Sequence, residues 1–294
     1  MTTATQPISV FGTTFQNPIV LAAGTAGFGR EVSRVVDLDR LGGIVTKAVS
    51  PEPRAGNKAP RVAEFSGGML NAVGLANPGV EQVAAQEIPW LAEHLTRARV
   101  LVNVVGFAPT DFAIVVQRLD SHEIITAFEL NVSCPNTSRG NEEFSSDRTV
   151  LADLIARCRD VTAKPLVVKL PPTVSDLPGT AAAAAEAGAN GFSLVNTIPG
   201  TVFRFDTAAG VPEPRLGFGR GGVSGPALLA VGVLATREVR EHTGLPVIGV
   251  GGVRSIEDVH QYLSAGASLV GVGTAGFADP RVPERLAAQW SRDG

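Results

Sequence analysis

The sequence predicts an α/β protein built as a (β/α)8 barrel. Short apolar runs recur eight times along 294 residues, and each is followed by a helical pattern. Most of these runs are continuously apolar, which is typical of parallel strands covered on both faces. Eight such units in a chain of this length favour a closed TIM barrel over an open doubly wound sheet. We find no linker that indicates a second domain, so we expect one domain spanning residues 1–294.

The eight predicted strands are the apolar runs at residues 19–23, 43–47, 100–105, 127–131, 165–170, 191–195, 246–249 and 267–272. The helical patterns occupy residues 31–41, 79–95, 110–119, 148–161, 179–187, 225–242, 255–265 and 280–290. Helix 255–265 opens with Ser255 and carries Asp258 three residues later, which is close to a capping box. Two stretches, 48–78 and 198–224, exceed ordinary connections, and in a barrel such insertions usually form the rim over the active site.

Composition and charge exclude several classes of protein. The net charge is −3 and the pI is near 5.9, so the chain lacks the basic character of a nucleic-acid-binding protein. Residues 1–10 do not read as a signal peptide and no apolar run approaches a membrane span, so we expect a cytoplasmic protein without a membrane partner. Two cysteines, Cys134 and Cys158, are too few for a disulfide framework, a structural zinc site or an iron–sulfur cluster, and we predict no metal site.

The segment Asn131-Val132-Ser133-Cys134-Pro135-Asn136 leaves the fourth predicted strand and enters a polar loop. Loops on a rigid scaffold often carry chemistry, and a thiol is useful there because its pKa, about 8.5, is within reach of neutral pH. We predict that Cys134 is catalytic; the alternative is a small buried hydrophobe beside a proline turn. Cys158 falls within a helical pattern and is predicted to be a core residue.

Polar side chains recur at the carboxyl ends of the predicted strands, where barrel enzymes place their chemistry. Only four of the 25 basic residues are lysines, yet Lys47 and Lys169 both end apolar strands. This indicates a need for a compact ammonium group at these positions, although a lysine snorkelling from a strand end is the alternative. The other polar residues at strand ends are Asn103, Asn131, Asn196 and Thr197. Together they predict one polar site at the mouth of the barrel.

Glycines end the seventh and eighth strands at Gly251, Gly252 and Gly273. Exposed backbone N–H groups at these positions suit a phosphate. The alternative is that the glycines only form tight turns and bind no ligand. Residues 271–276 match G-x-G-x-x-G, but too few residues follow to build the second strand and the acidic residue of a dinucleotide site. A second match at 217–222 has no preceding strand, so neither indicates a nicotinamide site.

Seven short motifs carry a resemblance to a known family. They are Asn71-Ala72-Val73-Gly74-Leu75, Asn131 to Asn136, Val168-Lys169-Leu170, Val195-Asn196-Thr197, Ser224-Gly225-Pro226, Gly249-Val250-Gly251-Gly252-Val253 and Gly273-Thr274. In their order and spacing the sequence resembles the catalytic subunit of class 1 dihydroorotate dehydrogenases, flavin enzymes on a (β/α)8 barrel, from about residue 8 to residue 290. Residues 68–75 resemble the class 1B subunits in particular.

The resemblance implies one FMN per chain. Its binding residues would be Ala23, Lys47, Ala48, Asn103, Asn131, Lys169, Val195, Gly225, Gly251, Gly252, Gly273 and Thr274. The pyrimidine substrate would be held by Lys47, Asn71, Ala72, Val73, Gly74, Leu75, Asn131, Asn196 and Thr197. The implied reaction is oxidation of (S)-dihydroorotate to orotate in pyrimidine (UMP) biosynthesis. Cys134 would remove the proton at C5, and hydride would pass from C6 to N5 of FMN.

The resemblance to class 1B also implies partners. It suggests a homodimer core, extended to a heterotetramer by an iron–sulfur flavoprotein subunit that carries FAD and a [2Fe–2S] cluster and passes electrons to NAD⁺. The residues of this chain agree with a separate electron-transfer subunit, because the chain has neither the cysteines for an iron–sulfur cluster nor a dinucleotide motif. Two features depart from the family: Ala22-Ala23-Gly24 replaces the expected Ala-Ser-Gly, and the loop at 201–222 is longer. These departures leave the FMN contact at residue 23 and the partner interface open.

Other functions also stay open on the sequence alone. Within flavin chemistry, the alternatives are a class 1A-like homodimer that uses fumarate, and a dihydropyrimidine or dihydrouridine reductase. The acidic balance of the chain disfavours the reductase that acts on tRNA. An alternative of another class is a barrel that binds flavin or phosphate without turnover.

Overall fold

The computed structural model describes residues 7–133, 144–205 and 210–293. Eight parallel strands within these ranges close into a barrel. They are Ile19–Leu21, Gly43–Val45, Arg99–Val104, Ile125–Asn131, Leu166–Leu170, Gly191–Leu194, Val247–Val250 and Leu269–Val272, and we number them barrel strands 1 to 8. Each strand pairs with the next along the chain, and strand 8 pairs with strand 1 through Val270 and Ile19. The predicted (β/α)8 barrel and its eight strands are confirmed.

Helices connect the barrel strands on the outside. They span residues 80–94, Pro109–Leu119, Arg148–Arg159, Leu177–Glu186, Leu228–Thr243, Ile256–Ser264, Ala275–Ala278 and Val282–Asp293. The first of them contains a π-helical segment at Val83–Glu87. The predicted capping box is present, because Ser255 accepts a hydrogen bond from the backbone N–H of Asp258 and the Asp258 carboxylate accepts one from the backbone N–H of Ser255.

The helix predicted at residues 31–41 is wrong. This segment consists of turns followed by a short 3₁₀ helix at Leu38–Arg40. Asp37 accepts a hydrogen bond from the backbone N–H of Asp39, which offers the backbone an alternative to a continuous α-helix. The carboxylate of Asp39 in turn accepts backbone N–H groups from Arg97 and Ala98 at 2.8 and 2.9 Å, so the turn is tied to the start of barrel strand 3.

The two predicted insertions meet in one antiparallel sheet, which we call the rim sheet. Its strands are Ile198–Gly200, Gly221–Ser224, Gly68–Asn71 and Val62–Phe65, in that spatial order. Ala63, Leu70, Ala72 and Leu216 form a small apolar core beneath it. A separate two-stranded pair, Phe203–Arg204 with Glu213–Pro214, extends the second insertion.

The amino-terminal end of the barrel is covered by a hairpin of Ile8–Val10 and Thr13–Phe15. Phe11 and Phe15 of this hairpin pack with the inward-facing side chains of the barrel. In the part of the chain that the structure describes, no helix is long and apolar enough to cross a membrane.

The barrel interior changes from apolar to polar toward its carboxyl-terminal mouth. Leu101, Ala127 and Val167 of strands 3, 4 and 5 belong to the apolar cluster inside the barrel. Side chains alternate along a strand, so the residue two positions later points inward again and lies one layer nearer the mouth. In these three strands that residue is polar: Asn103, Glu129 and Lys169.

Candidate active site

A cavity of about 660 Å³ lies at the carboxyl-terminal mouth, between the ends of the barrel strands and the rim sheet. Its size is in the range of small-molecule binding sites. All twelve of the residues predicted to hold the cofactor line it: Ala23, Lys47, Ala48, Asn103, Asn131, Lys169, Val195, Gly225, Gly251, Gly252, Gly273 and Thr274. The predicted substrate residues Asn71, Val73, Gly74, Leu75, Asn196 and Thr197 line the same cavity.

Ala72 is fully buried and packs in the core beneath the rim sheet, so its side chain does not face the cavity. Its neighbours Asn71 and Val73 do line the cavity, as expected for a strand whose side chains alternate between two faces. Cys134 lies outside the described residues.

Three buried polar side chains lie together near the ends of barrel strands 3, 4 and 5. The Glu129 carboxylate accepts a hydrogen bond from Nδ2 of Asn103 at 2.6 Å, and its Oε1 lies 3.6 Å from Nζ of Lys169. Glu129 and Asn103 are each 1% exposed and Lys169 is 6% exposed. Asn103 and Lys169 line the cavity, whereas Glu129 lies behind them.

A second polar network joins strand 4 to the residues after strand 6. Nδ2 of Asn196 donates to Oγ of Ser133 at 2.6 Å and to Oδ1 of Asn131 at 3.3 Å. Oγ of Ser133 also donates to Oδ1 of Asn131 at 3.2 Å, and Oδ1 of Asn196 accepts the backbone N–H of Thr197. These bonds fix the carboxamides of Asn131 and Asn196 at the wall of the cavity, directly before residue 134 in the sequence.

The cavity has a positive charge balance. Among the described residues that line it, Lys47, Lys169 and Arg254 are cationic and Glu64 is anionic. The backbone of Lys47 is anchored, because its N–H donates to the carbonyl oxygen of Gly27 at 2.7 Å. An anionic ligand is therefore favoured in this cavity.

Backbone groups form the end of the cavity near barrel strands 7 and 8. Gly252 has φ +74°, and a Cβ at this position would lie 2.6 Å from the backbone nitrogen of Leu229. Gly225 has φ +125°, and a Cβ there would lie 2.8 Å from Cα of Gly68. Both positions require glycine because the backbone conformation and the space exclude a side chain. Such exposed backbone next to a helix start suits a phosphate group.

Tyr262 supports this end of the cavity from behind. It is fully buried on the helix Ile256–Ser264, and its hydroxyl donates to the carbonyl oxygen of Gly251 at 2.8 Å. Burial raises the pKa of the Tyr262 hydroxyl, so the group stays protonated and keeps this donor. A further link joins the segment after strand 8 to the rim sheet, where Oγ1 of Thr274 donates to Oγ of Ser224 at 2.7 Å.

The barrel and its rim match one protein family over nearly their whole length. A sequence profile described as Dihydroorotate dehydrogenase matches residues 6–292. The chain belongs to the dihydroorotate dehydrogenase family. Members of this family are oxidoreductases, which agrees with the resemblance found in the sequence.

Individual relatives of this family differ in the electron acceptor that their names give. A Listeria monocytogenes serotype 4b protein named dihydroorotate dehydrogenase B (NAD(+)), catalytic subunit, is 41% identical over 282 residues, covering 96% of this chain and 91% of that protein. A Solibacter usitatus protein, named provisionally as a dihydroorotate dehydrogenase A (fumarate), is 42% identical and covers 96% of this chain and 90% of that protein. The dihydroorotate dehydrogenase of Eimeria tenella, solved in complex with ferulenol, has a TM-score of 0.79 at 22% identity, covers 96% of this chain and 82% of that chain, and shows the shared fold.

Three residues at or behind this cavity do not stand out from the sequence alone. In the sequence Glu129 is part of a predicted buried strand, and its alternation with Ala127 and Asn131 is the signal that places it on the inward face. Tyr262 acts from behind the cavity, and its helical pattern alone gives no sign of its bond to Gly251. Arg254 follows the glycines of strand 7, and an exposed arginine beside a predicted phosphate site was a usable signal.

Proposed function

We propose that this chain is a single FMN-binding domain that oxidises (S)-dihydroorotate to orotate. The observation that carries this proposal is the convergence of Lys47, Lys169 and a group of fixed carboxamides on one cavity that ends in a glycine-rich backbone cradle. Membership of the dihydroorotate dehydrogenase family supports the same reaction.

The residues present fit FMN at both ends of the cavity. The backbone at Gly225, Gly251, Gly252, Gly273 and Thr274 offers N–H groups and space to a phosphate. At the other end, the buried Oδ1 of Asn103 has no hydrogen-bond partner among the described residues. An unpaired buried acceptor is costly, so it points to a ligand donor such as the imide N–H of a flavin ring.

The chemistry is divided between the cofactor and the protein. FMN, when bound, supplies a two-electron acceptor. Lys169 places a fixed positive charge at its edge of the cavity, where it stabilises negative charge that develops during the reaction. Lys47 offers a charge for the carboxylate or carbonyl oxygens of the pyrimidine, and Asn71, Asn131 and Asn196 offer donors and acceptors to its imide.

Cys134 is proposed as the base. Its thiolate removes the proton at C5 of dihydroorotate, which the neighbouring C4 carbonyl acidifies, and the proton then resides on Sγ. Ser133 and Asn131 precede it in the sequence and belong to the fixed network with Asn196. That network fixes the chain up to Ser133, the residue directly before Cys134 in the sequence.

We propose NAD⁺ as the final electron acceptor, reached through a separate iron–sulfur flavoprotein subunit that carries FAD and a [2Fe–2S] cluster. The name of the Listeria relative, a catalytic subunit of an NAD(+)-linked enzyme, supports this. A homodimer of this chain would form the core of the heterotetramer. Direct reduction of fumarate is the second candidate, because the Solibacter relative is named for it at the same level of identity.

The cofactor proposal predicts a specific effect of Tyr262→Phe. The substitution removes the hydroxyl that holds the Gly251 carbonyl, so the backbone of the phosphate cradle is no longer fixed before FMN binds, and we expect about 1 kcal/mol of binding free energy to be lost in fixing it. We expect FMN to bind roughly fivefold more weakly to the variant in a fluorescence titration of the apoprotein. Riboflavin, which lacks the phosphate, is the control ligand and is expected to bind both proteins equally. Equal FMN affinity in the two proteins would contradict this role of Tyr262.

The direct test of the proposed function is anaerobic mixing of the purified protein with dihydroorotate. We expect bleaching of the flavin absorbance and formation of orotate, followed by reoxidation on addition of the acceptor. Reoxidation by NAD⁺ only after the partner subunit is added would support the class 1B assignment, and reoxidation by fumarate alone would replace it. A yellow protein that dihydroorotate does not bleach would show a binding barrel without turnover.

A further inference from the structure

Glu129 is a buried carboxylate that the proposed function does not use. It lies inside the barrel at 1% exposure, behind the two cavity-lining residues Asn103 and Lys169. It contacts both of them, at 2.6 Å from Nδ2 of Asn103 and 3.6 Å from Nζ of Lys169. Strand pairing sets Glu129 directly opposite Asn103, while Lys169 on the next strand pairs with Asn131.

Stability does not account for a carboxylate at this position. The layer below is filled at the same three strands by Leu101, Ala127 and Val167, so apolar packing is available in this barrel. Burying an ion pair costs desolvation energy that the attraction between the charges often fails to offset, and apolar replacements are commonly neutral or stabilising. A buried pair beside a ligand cavity is better explained by what it does to the groups that line the cavity.

The first effect of Glu129 is on the carboxamide of Asn103. A carboxylate only accepts hydrogen bonds, so the Asn103 side chain must turn its NH₂ group toward Glu129. Its oxygen is thereby directed away from Glu129, and it is the buried oxygen without a partner among the described residues. Glu129 thus determines that Asn103 presents an acceptor, and not a donor, to a ligand.

The second effect of Glu129 is on the charge at Lys169. An ammonium group at 6% exposure is screened little by water, so its field acts on whatever occupies the cavity. The carboxylate 3.6 Å behind it offsets part of that field and restrains the flexible side chain. The pair as a whole is close to neutral, while the positive end faces the cavity.

We propose that Glu129 is a positioning residue that fixes Asn103 and Lys169 and would lower the reduction potential of a flavin held in the cavity that these two residues line. The inference rests on the proposed binding of FMN. Removing the negative charge leaves Lys169 uncompensated, which favours the electron-rich reduced flavin over the oxidised form. Removing the positive charge of Lys169 favours the oxidised flavin instead. Removing both charges returns the reduction potential to nearly its original value.

The test measures the ratio of the FMN dissociation constants for the oxidised and the reduced cofactor, because this ratio reports the potential shift even in variants that bind weakly. In Glu129→Gln we expect the dissociation constant of oxidised FMN, divided by that of reduced FMN, to rise roughly tenfold. This rise corresponds to a reduction potential of the bound flavin about 30 mV higher. In Lys169→Met we expect the ratio to fall. The double variant Glu129→Gln/Lys169→Met is expected to return to within about threefold of the wild-type ratio.

Two further variants complete the design. Glu129→Asp keeps the charge and is expected to hold the ratio near that of the wild type. Glu186→Gln removes the same charge from the exposed end of the helix Leu177–Glu186, far from the cavity, and serves as the matched control. If Glu129→Gln alone fails to fold, the role of Glu129 is tested by comparing the ratio of dissociation constants in Lys169→Met with that in the double variant. The double variant carries no unpaired buried charge.

The outcomes separate the inference from the function on which it rests. An unchanged or lower ratio in Glu129→Gln, or a double variant with the same ratio as Lys169→Met, would overturn the role of Glu129. A change in melting temperature with no change in the ratio would show that Glu129 is only structural. A wild-type protein that binds no FMN would overturn the proposed function, and this inference with it.

Discussion

The Cys134→Ser variant is expected to retain bound FMN and to lose most of its reaction with dihydroorotate. A hydroxyl is a far poorer base than a thiol near neutral pH, and a positioned general base contributes roughly 10²- to 10⁴-fold to the rate. The measurement is the rate at which dihydroorotate bleaches the flavin absorbance in a stopped-flow experiment without oxygen. The flavin content of the purified variant, read from its absorbance, should match that of the wild type.

Cys158 provides the matched control for this experiment. It is fully buried on the helix Arg148–Arg159, and burial raises the pKa of its thiol to about 12, so it is not available as a base. Cys158→Ala is therefore expected to bleach at the wild-type rate. A Cys134→Ser protein that bleaches as fast as the wild type would remove Cys134 from the mechanism.

The Lys169→Met variant is expected to weaken the binding of reduced FMN and to lower the stability of the fold. It removes the positive charge from the cavity wall and leaves the buried Glu129 carboxylate without its ion partner. Breaking a buried pair from one side costs about 3 kcal/mol or more in the free energy of unfolding. Denaturant unfolding measures the stability, and titration with reduced FMN measures the binding.

Lys164 is the matched control for Lys169. It precedes barrel strand 5, at the opposite end of that strand from Lys169, and it does not line the cavity. Lys164→Met is expected to bind FMN like the wild type. Unchanged FMN affinity and unchanged stability in Lys169→Met would contradict the place assigned to Lys169.

Much of the fold was predictable because the physical signals are local. Barrel strands covered on both faces read as continuous apolar runs, and the glycines that follow strands 7 and 8 stand out against them. The start of the helix Ile256–Ser264 was predictable for the same reason, since a capping box is a pattern of neighbouring residues. The segment at 31–41 failed because its aspartates bond to backbone groups, including those of Arg97 and Ala98, which lie far away in the sequence.

The site was predictable where strand ends alone define it and not where partners from different strands do. Lys47, Asn103 and Lys169 follow from their places at the ends of apolar runs, and they line the cavity. The position of Ala72 depends on which face of a rim strand is covered, and that is set by the core around Leu216 more than a hundred residues later. The contact of Glu129 with Lys169 likewise depends on the register of strands 4 and 5, which cannot be read from the sequence.

The proposed reaction requires side chains from distant parts of the chain to meet around one flavin at the mouth of the barrel. A crystal structure of the protein with FMN and orotate tests this most directly. We expect the phosphate on the backbone at Gly251, Gly252 and Gly273, the ring edge on Lys169, and the sulfur of Cys134 facing C5 of orotate. A flavin bound outside this cavity, or a Cys134 sulfur turned away from the pyrimidine, would contradict the account.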